Sequence, residues 1–257
     1  MLENYHTHTT LCGHASGTDE EYVQQAIAGG LKVLGFSDHT PVDFINPNIT
    51  RMRMYPEDLD GYVSSLLSLK EKFTDQIEIR LGLEAEYYPD HFGALLDLIA
   101  PYPIEYLILG QHWCGNEINE PYNARPTEDV GLLARYCDQV IAGMETGVFS
   151  YVAHPDILNF LGDPDLYKAH MTRLCQAAKA YGIPLELNFL GLRDGRNYPR
   201  EDFWEIAGSI GCDVVFGSDA HRPQDVANPA TEALALEIVQ NYHLHLLEQV
   251  PIRPICR

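Results

Sequence analysis

The chain has 257 residues, 46% of them apolar and 21% charged, so it can bury a sizeable core and shows no sign of disorder. Acidic residues outnumber basic ones by 37 to 17, and the formal charge of −20 argues against a long-range electrostatic grip on DNA or RNA. The six cysteines form no Cys-x-x-Cys pair, no signal peptide is recognisable, and no apolar run would span a bilayer. We therefore expect a single cytoplasmic domain over residues 1–257, with reduced thiols.

Short β-rich runs alternate with longer amphipathic stretches along the chain. The predicted strands are Glu3–His8, Leu31–His39, Ile77–Tyr88, Glu105–Trp113, Phe149–Asp156, Pro184–Leu190 and Asp213–His221. Helices are predicted between them, from the capping box Thr18–Glu21, from near Pro56, and over Thr127–Glu145, Pro164–Tyr181, Pro199–Ile210 and Asn228–Tyr242.

Several of the predicted strands are apolar almost throughout, which is typical of strands buried on both faces of a parallel sheet. Seven strands alternating with helices favour a closed α/β barrel over an open doubly wound sheet, although periodicity alone does not separate the two. No Gly-x-Gly-x-x-Gly follows a strand, so a dinucleotide-binding fold lacks its main support.

Histidines and carboxylates recur at the ends of the predicted strands. They are His6 and His8 on the first strand, His39 on the second, Glu84 on the third, His112 on the fourth, His154 on the fifth, and Asp219 and His221 on the seventh. The carboxyl ends of barrel strands converge on one face, so we expect these side chains to meet. His14 lies in a short loop near the same face.

The spacing within two of these segments carries chemical information. In His6-Thr7-His8 and Asp219-Ala220-His221, residues two apart point to the same side of a strand and can address one ion or two neighbouring ions. Imidazole and carboxylate ligands together suit zinc, iron or manganese. A lone histidine at a strand end is usually a hydrogen-bonded loop residue, so it is the conjunction that indicates a metal centre.

Seven short motifs resemble those of the polymerase and histidinol phosphatase (PHP) family, in order and over nearly the whole chain. They are Tyr5–Thr9, Cys12–Ala15, Phe36–His39, Gly82–Ala85, Gly110–Trp113, Ala153–Asp156 and Gly217–His221. Gly191-Leu192-Arg193 and the segment Arg51–Met54 are similar to the histidinol-phosphatase branch of that family. Asn4 is a departure, since many members carry Asp there, and Phe189-Leu190 makes the approach to Arg193 more apolar.

The resemblance implies a TIM-like, distorted (β/α)7 barrel with its active site at the carboxyl ends of the strands and with three divalent metal ions, zinc, iron or manganese. Carried over by motif, the ligands would be His6, His8, Glu84 and Asp219 for one ion, Glu84, His112 and His154 for a second, and His14, His39 and His221 for the third. Glu84, Asp219 and His221 are the expected catalytic residues. Glu86 lies on the same side of the strand as Glu84, so the choice of bridging ligand stays open.

The resemblance also implies the reaction, which is hydrolysis of a small phosphomonoester, L-histidinol phosphate, in histidine biosynthesis. Arg193 is the first candidate for holding the phosphate and Arg53 the second, because guanidinium groups bind phosphate oxygens in pairs. We interpret Arg51 and Arg196 as surface charges. Asp38 and Asp156, each beside an expected ligand, are candidates for orienting a metal-binding histidine or carrying a proton. Neither a nucleic acid nor a membrane is expected as a partner, and the oligomeric state is left open.

Three alternatives remain at this level. An amidohydrolase also carries His-x-His on its first barrel strand, but its usual bridging lysine has no counterpart, since Lys32 starts a strand rather than ending one. A nuclease or nucleotide phosphodiesterase of the same family is disfavoured by the acidic charge. A non-catalytic metal-binding module is disfavoured because all the ligand positions are filled.

Overall fold

The computed structural model describes residues 1–42, 52–115, 117 and 120–255. Within these residues, eight strands form one parallel sheet in which each strand pairs with the next along the chain. The strands are β1 (Glu3–Asn4), β2 (Val33–His39), β3 (Glu78–Ala85), β4 (Tyr106–Leu109), β5 (Phe149–Val152), β6 (Leu185–Asn188), β7 (Asp213–Gly217) and β8 (His245–Leu246). The seven predicted strands are confirmed, but all of them except β2 end before the predicted residue, and the sequence did not indicate the two-residue β8.

The sheet curls into a barrel that closes between its first and seventh strands. Just beyond β1 and β7, Thr7 forms a parallel bridge with Ala220. The amide of His8 donates to the carbonyl of Ala220 at 3.0 Å, and the amide of Ala220 donates to the carbonyl of His6 at 3.3 Å. β8 pairs instead with the start of β7. The predicted distorted (β/α)7 barrel is therefore confirmed, with β8 added at the end opposite the closure.

A helix lies in every connection between strands. The helices are α1 (Asp19–Ala28), α2 (Leu59–Lys72), α3 (Phe92–Ile99), α4 (Val130–Glu145), α5 (Pro164–Tyr181), α6 (Phe189–Asp194), α7 (Glu201–Ile210) and α8 (Pro229–Asn241). The predicted capping box opens α1, since Glu21 N donates to the Thr18 hydroxyl and Thr18 N to the Glu21 carboxylate. The sequence missed α3 and α6. The latter starts inside the predicted sixth strand because the Asn188 side chain accepts from Gly191 N at 3.1 Å and caps it.

The apolar core has two parts, one between the sheet and the helices and one inside the barrel. Tyr5, Tyr106 and Tyr151 are buried in the interior part, and the Tyr106 hydroxyl lies 2.9 Å from the carbonyls of Tyr5 and Phe36. These rings come from positions that precede the histidines on their strands, so they fill the barrel below its carboxyl end. The histidines and carboxylates therefore lie above these rings, at the carboxyl end of the barrel.

The described cysteines are buried and free, as expected from their scattered spacing, and Cys256 lies outside the described residues. Among the described residues no helix combines the length and the apolarity that a membrane crossing requires.

Candidate metal centre

The carboxyl end of the barrel holds a cavity of about 350 Å³ that all nine predicted ligands line or adjoin. Seven of them line it directly, namely His14, His39, Glu84, His112, His154, Asp219 and His221. His6 and His8 lie beneath it and are fully buried. The fold therefore brings into one cluster nine residues that are spread from position 6 to position 221 of the sequence.

Glu84 lies in the middle of this cluster, where five imidazole rings face its two carboxylate oxygens. The nitrogen–oxygen distances are 2.8 Å to His154, 3.1 Å to His39, 3.4 Å to His6, and 3.5 Å to His8 and to His112. This position fits a carboxylate that bridges two ions.

Two further groups extend the cluster towards the open side. Asp219 Oδ1 lies 3.1 Å from His8 Nε2 and 3.5 Å from His6 Nε2. His14 Nε2 and His221 Nε2 are 2.9 Å apart, and together with His39 they offer three donor atoms that all lie within 4.8 Å of one another. The same criterion groups His6, His8 and Asp219. Other groups that meet the criterion cut across these two, among them His6, Glu84 and His154, and His8, His39 and Glu84, so the assignment of each ligand to a particular ion stays a prediction.

Several buried atoms in the cluster have no hydrogen-bond partner. They are Nε2 of His6 and His8, Nδ1 of His39, Oε2 of Glu84 and Oδ1 of Asp219. An unpaired buried polar atom costs roughly 1–3 kcal/mol, and a charged one costs more. These atoms converge on one another, and divalent cations would satisfy them together. The residues present therefore fit the implied metal ions, and the mixed nitrogen and oxygen donors suit zinc, iron or manganese.

The opposite ring nitrogen of several of these histidines is held by the protein. His6 Nδ1 lies 2.7 Å from Glu186, His112 Nδ1 lies 2.8 Å from Glu86, and His14 Nδ1 lies 2.8 Å from the Cys12 carbonyl. Such contacts fix the tautomer and the orientation of a metal-binding imidazole. His8 Nδ1 is 3.5 Å from Asp38, the residue that the sequence suggested as an orienting carboxylate.

Glu186 is a candidate functional residue that the sequence analysis missed. Its second oxygen accepts from His154 N at 3.0 Å and from the Asn188 side chain at 2.8 Å. The available signal was a carboxylate between Leu185 and Leu187 in a strand whose side chains are buried, because a buried carboxylate is costly without a partner.

Two glycines leave room for the buried carboxylates. A Cβ on Gly110 would lie 1.9 Å from Glu84 Oε1, and a Cβ on Gly217 would lie 1.7 Å from Glu186 Oε1. Both glycines belong to the motifs Gly110–Trp113 and Gly217–His221. Their role is thus to admit a neighbouring strand's side chain rather than to permit an unusual turn.

Glu84 and Glu86 differ in where their side chains lie, and the difference favours Glu84 as the bridging ligand. Glu84 reaches the centre, whereas Glu86 contacts His112 on the far side of its ring and is bound by Arg53. The same contacts count against the predicted role of Arg53 in phosphate binding. Its side chain is buried and occupied by carboxylates and a backbone carbonyl, and it is not among the residues that line the cavity.

Arg193 does line the cavity. Its side chain is 11% exposed, and none of its guanidinium nitrogens has a hydrogen-bond partner. Nε lies 3.4 Å from Asp225, which also accepts from Arg222 Nε at 2.7 Å. Arg196, interpreted from sequence as a surface charge, also lines the cavity, and Arg51 lies outside the described residues.

The electrostatics of the cluster divide its side chains into two groups. Burial lowers the pKa of His6, His8 and His154, but the facing carboxylates outweigh it, so the pKa of His6 and that of His154 are raised and that of His8 is raised to about 9. The carboxylates and two other histidines shift towards the metal-binding form. Burial opposes ionisation of Glu84, but the surrounding histidines, His112 first, hold its pKa well below the usual value. The pKa of Asp219 is likewise well below its usual value, because nearby histidines outweigh its burial. Burial lowers the pKa of His39 to about 4 and that of His221 well below its usual value, so both rings are neutral. Ionised carboxylates and neutral imidazoles are the forms that bind metal.

The backbone at two of these positions is strained. His154 has φ 31° and Asp219 has φ 45°, in the left-handed region that side-chain-bearing residues rarely adopt. Strain of this kind costs roughly 1–3 kcal/mol and persists where the surrounding structure enforces it. Here it turns the two side chains back into the cluster immediately after β5 and β7.

A parallel α/β barrel with histidines and carboxylates clustered at the strand ends defines the class of metal-dependent barrel hydrolases. Residues 4–189 match the family model of the PHP domain. The chain belongs to the PHP family.

Curated relatives and solved structures agree with this placement. The chain is 31% identical over 230 residues to the probable histidinol-phosphatase of Deinococcus radiodurans, covering 86% of each chain. It is 25% identical over 252 residues to the histidinol-phosphatase of Bacillus subtilis, covering 86% of this chain and 94% of that one. The histidinol phosphate phosphatase of Lactococcus lactis, solved with zinc, L-histidinol and phosphate, superposes with a TM-score of 0.73 at 17% identity, over 96% and 95% of the two chains. At that identity the likeness concerns the fold.

Proposed function

We propose that this protein is a histidinol-phosphatase that hydrolyses L-histidinol phosphate to histidinol and inorganic phosphate in histidine biosynthesis. The observation that carries the proposal is one cavity that has buried nitrogen and oxygen atoms without hydrogen-bond partners at its base and, in its wall, the Arg193 guanidinium, which makes no hydrogen bond. The names of the relatives from D. radiodurans and B. subtilis support the choice of substrate.

Three metal ions are proposed, with zinc, iron and manganese as the candidates. The first would be held by His6, His8, Glu84 and Asp219, the second by Glu84, His112 and His154, and the third by His14, His39 and His221. When bound, such ions supply Lewis acidity, which polarises a phosphoryl group and makes water a better nucleophile near neutral pH. Glu84, Asp219 and His221 border the cavity directly, and we assign them to the catalytic centre.

The remaining cavity residues would bind and orient the substrate. Arg193 is placed to bind the phosphate oxygens, because none of its guanidinium nitrogens is used in a hydrogen bond and Asp225 lies 3.4 Å from Nε as an ion-pair partner. Asp194, which is partly exposed at the cavity wall, suits a substrate that also carries a protonated amine. The rings of Tyr122 and Tyr198 line the cavity and would limit the access of water.

Three broader expectations are kept as part of the proposal. One sheet built from strands between residues 3 and 246 supports treating residues 1–257 as a single domain. The free, buried cysteines fit a reducing cytoplasm. The small phosphate ester is the expected partner, and neither nucleic acid nor membrane is proposed.

The test is phosphate release from L-histidinol phosphate, from an aryl phosphate and from a phosphodiester, on protein whose metal content has been quantified. We expect chelator-sensitive turnover of histidinol phosphate far above that of the other two esters. His154→Ala should abolish it, whereas His245→Ala, which alters an exposed histidine paired with Asp213, should not. Turnover of the diester alone, or of unrelated monoesters alone, would contradict the proposal.

A further inference from the structure

Arg53 makes a buried set of contacts beside the metal centre. Its Nη1 donates to the Thr40 carbonyl at 2.7 Å and to Glu86 at 3.1 Å, and its Nη2 donates to the other Glu86 oxygen at 3.0 Å. It also forms an ion pair with Glu117, in the segment that follows β4. The Arg53 and Glu86 side chains are each 1% exposed, so solvent does not weaken these contacts.

The contact with Glu86 leads directly to a candidate metal ligand. Glu86 Oε1 lies 2.8 Å from Nδ1 of His112, and an ionised carboxylate can only accept a hydrogen bond, so Nδ1 must carry the proton. The neutral ring then presents the lone pair of Nε2, which lies 3.5 Å from Glu84 Oε1 at the centre of the cluster. The guanidinium of Arg53 compensates the charge of Glu86 and fixes both of its oxygens.

The contact with Thr40 leads to a second candidate ligand. Thr40 follows His39 at the end of β2, and its amide donates to the backbone carbonyl of Glu84 at 2.9 Å. By holding the Thr40 carbonyl, Arg53 fixes the backbone from which the His39 side chain projects. One guanidinium thus supports the ends of two neighbouring strands.

We propose that Arg53 is a positioning residue of the metal centre, which sets His112 through Glu86 and His39 through the Thr40 carbonyl, and that it does not bind the substrate phosphate. The inference rests on the metal centre of the proposed function but not on its substrate. It assigns the Arg53–Glu86 pair to metal affinity, so its consequences are measurable without turnover.

The test measures zinc affinity by chelator competition on metal-free protein, for Arg53→Met, Glu86→Gln and the double variant. Changes to groups that orient metal ligands typically cost about 10–100-fold in metal affinity. We expect Arg53→Met to weaken zinc binding by about that factor, because it leaves Glu86 buried without its countercharge. In the double variant the neutral amide at position 86 needs no countercharge and can still accept from His112, so the loss should be smaller than in Arg53→Met alone.

A matched control lies on β3, the strand that Glu86 follows. Arg80 in β3 binds Glu105 at 2.7 Å, but this pair is partly exposed and does not contact the cluster. Arg80→Met and Glu105→Gln should leave zinc affinity unchanged. If Arg53→Met does not fold, Glu86→Gln against Glu86→Ala still tests the link through which Arg53 is proposed to act on His112. Only the amide retains an acceptor for His112 Nδ1, so Glu86→Ala should lose more affinity.

Three outcomes would overturn the assignment. Normal zinc affinity in Arg53→Met together with a raised KM and weaker inhibition by inorganic phosphate would make Arg53 a phosphate ligand. Additive losses in the double variant would mean that Arg53 does not act through Glu86. Equal zinc affinity in Glu86→Gln and Glu86→Ala would remove the link to His112. A protein that binds zinc as expected but fails to hydrolyse histidinol phosphate would refute the proposed function and leave this assignment standing.

Discussion

Gly110→Ala offers a sharp test of how the metal centre is built, because it adds a single methyl group. The new Cβ would lie 1.9 Å from Glu84 Oε1 and 2.6 Å from Cδ of the same carboxylate. Real Cβ atoms essentially never approach a neighbour more closely than 3.0 Å, so the Glu84 carboxylate must move. That movement displaces the group that five imidazoles face.

The magnitude follows from the size of the forced shift. Moving Oε1 from 1.9 Å to beyond 3.0 Å from the methyl carbon displaces a central ligand atom by more than the tolerance of a metal or reaction site. A misplacement of about 1 Å at such a site costs on the order of 100-fold in rate. Forcing a methyl group into a packed interior costs roughly 1–3 kcal/mol of folding free energy. We therefore expect kcat/KM to fall by about 100-fold or more, with a measurable loss of bound metal.

The assay combines metal quantification, chelator competition and steady-state phosphate release on the purified variant. Gly93→Ala is the matched control, because Gly93 lies on the exposed side of α3 and a Cβ there would meet nothing within 4 Å. It should keep full activity and gain up to about 1 kcal/mol of stability from the better helix former. Full metal content and wild-type kinetics in Gly110→Ala would refute the placement of Glu84 at the centre.

Other perturbations probe separate parts of the site. Arg193→Ala should lower kcat/KM by about 10–100-fold, mainly through KM, because hydrogen bonds to a charged group are each worth about 1.5–3 kcal/mol. Metal content should stay intact, as it should in the surface control Arg173→Ala. Unchanged kinetics would show that Arg193 does not bind the phosphate. Glu186→Gln should weaken metal binding by about 10–100-fold, since it loosens the 2.7 Å contact that orients His6. Unaltered metal affinity would mean that Glu186 has only a structural role. Adding zinc to chelator-treated protein, at about 100 times the dissociation constant of zinc, should stabilise the fold by about 2.7 kcal/mol. This corresponds to a Tm increase of roughly 5–10 °C. A Tm that does not depend on zinc would contradict the metal centre.

Much of the fold was readable from local pattern. Apolar runs bounded by turn signals located the seven main strands, and the Thr18–Glu21 capping box located the start of α1. Both signals depend on residues that are neighbours in the chain. β8 gave no such signal, because two residues carry no periodicity, and its pairing with β7 is decided by where the end of the chain packs.

The candidate site was likewise predicted from the sequence only in part. Histidines and carboxylates at strand ends stood out in the sequence because parallel strands that close into a barrel bring their ends together. The set of nine candidate ligands came from the resemblance of the motifs to the PHP family. The sequence also left Glu84 and Glu86 as competing choices. Two residues apart on one strand, they share a face, and no local rule distinguishes them.

Only the tertiary structure decided what lies next to what. It placed Glu84 among the imidazoles, moved Arg53 from an expected phosphate contact to a buried partner of Glu86, and revealed Glu186 behind His6. Residue type and spacing determine which chemistry the chain can perform and in which fold. The roles of individual carboxylates and arginines depend on contacts between strands that are distant in sequence. A buried charged side chain acts through the group that it pairs with, and the sequence does not show which group that is.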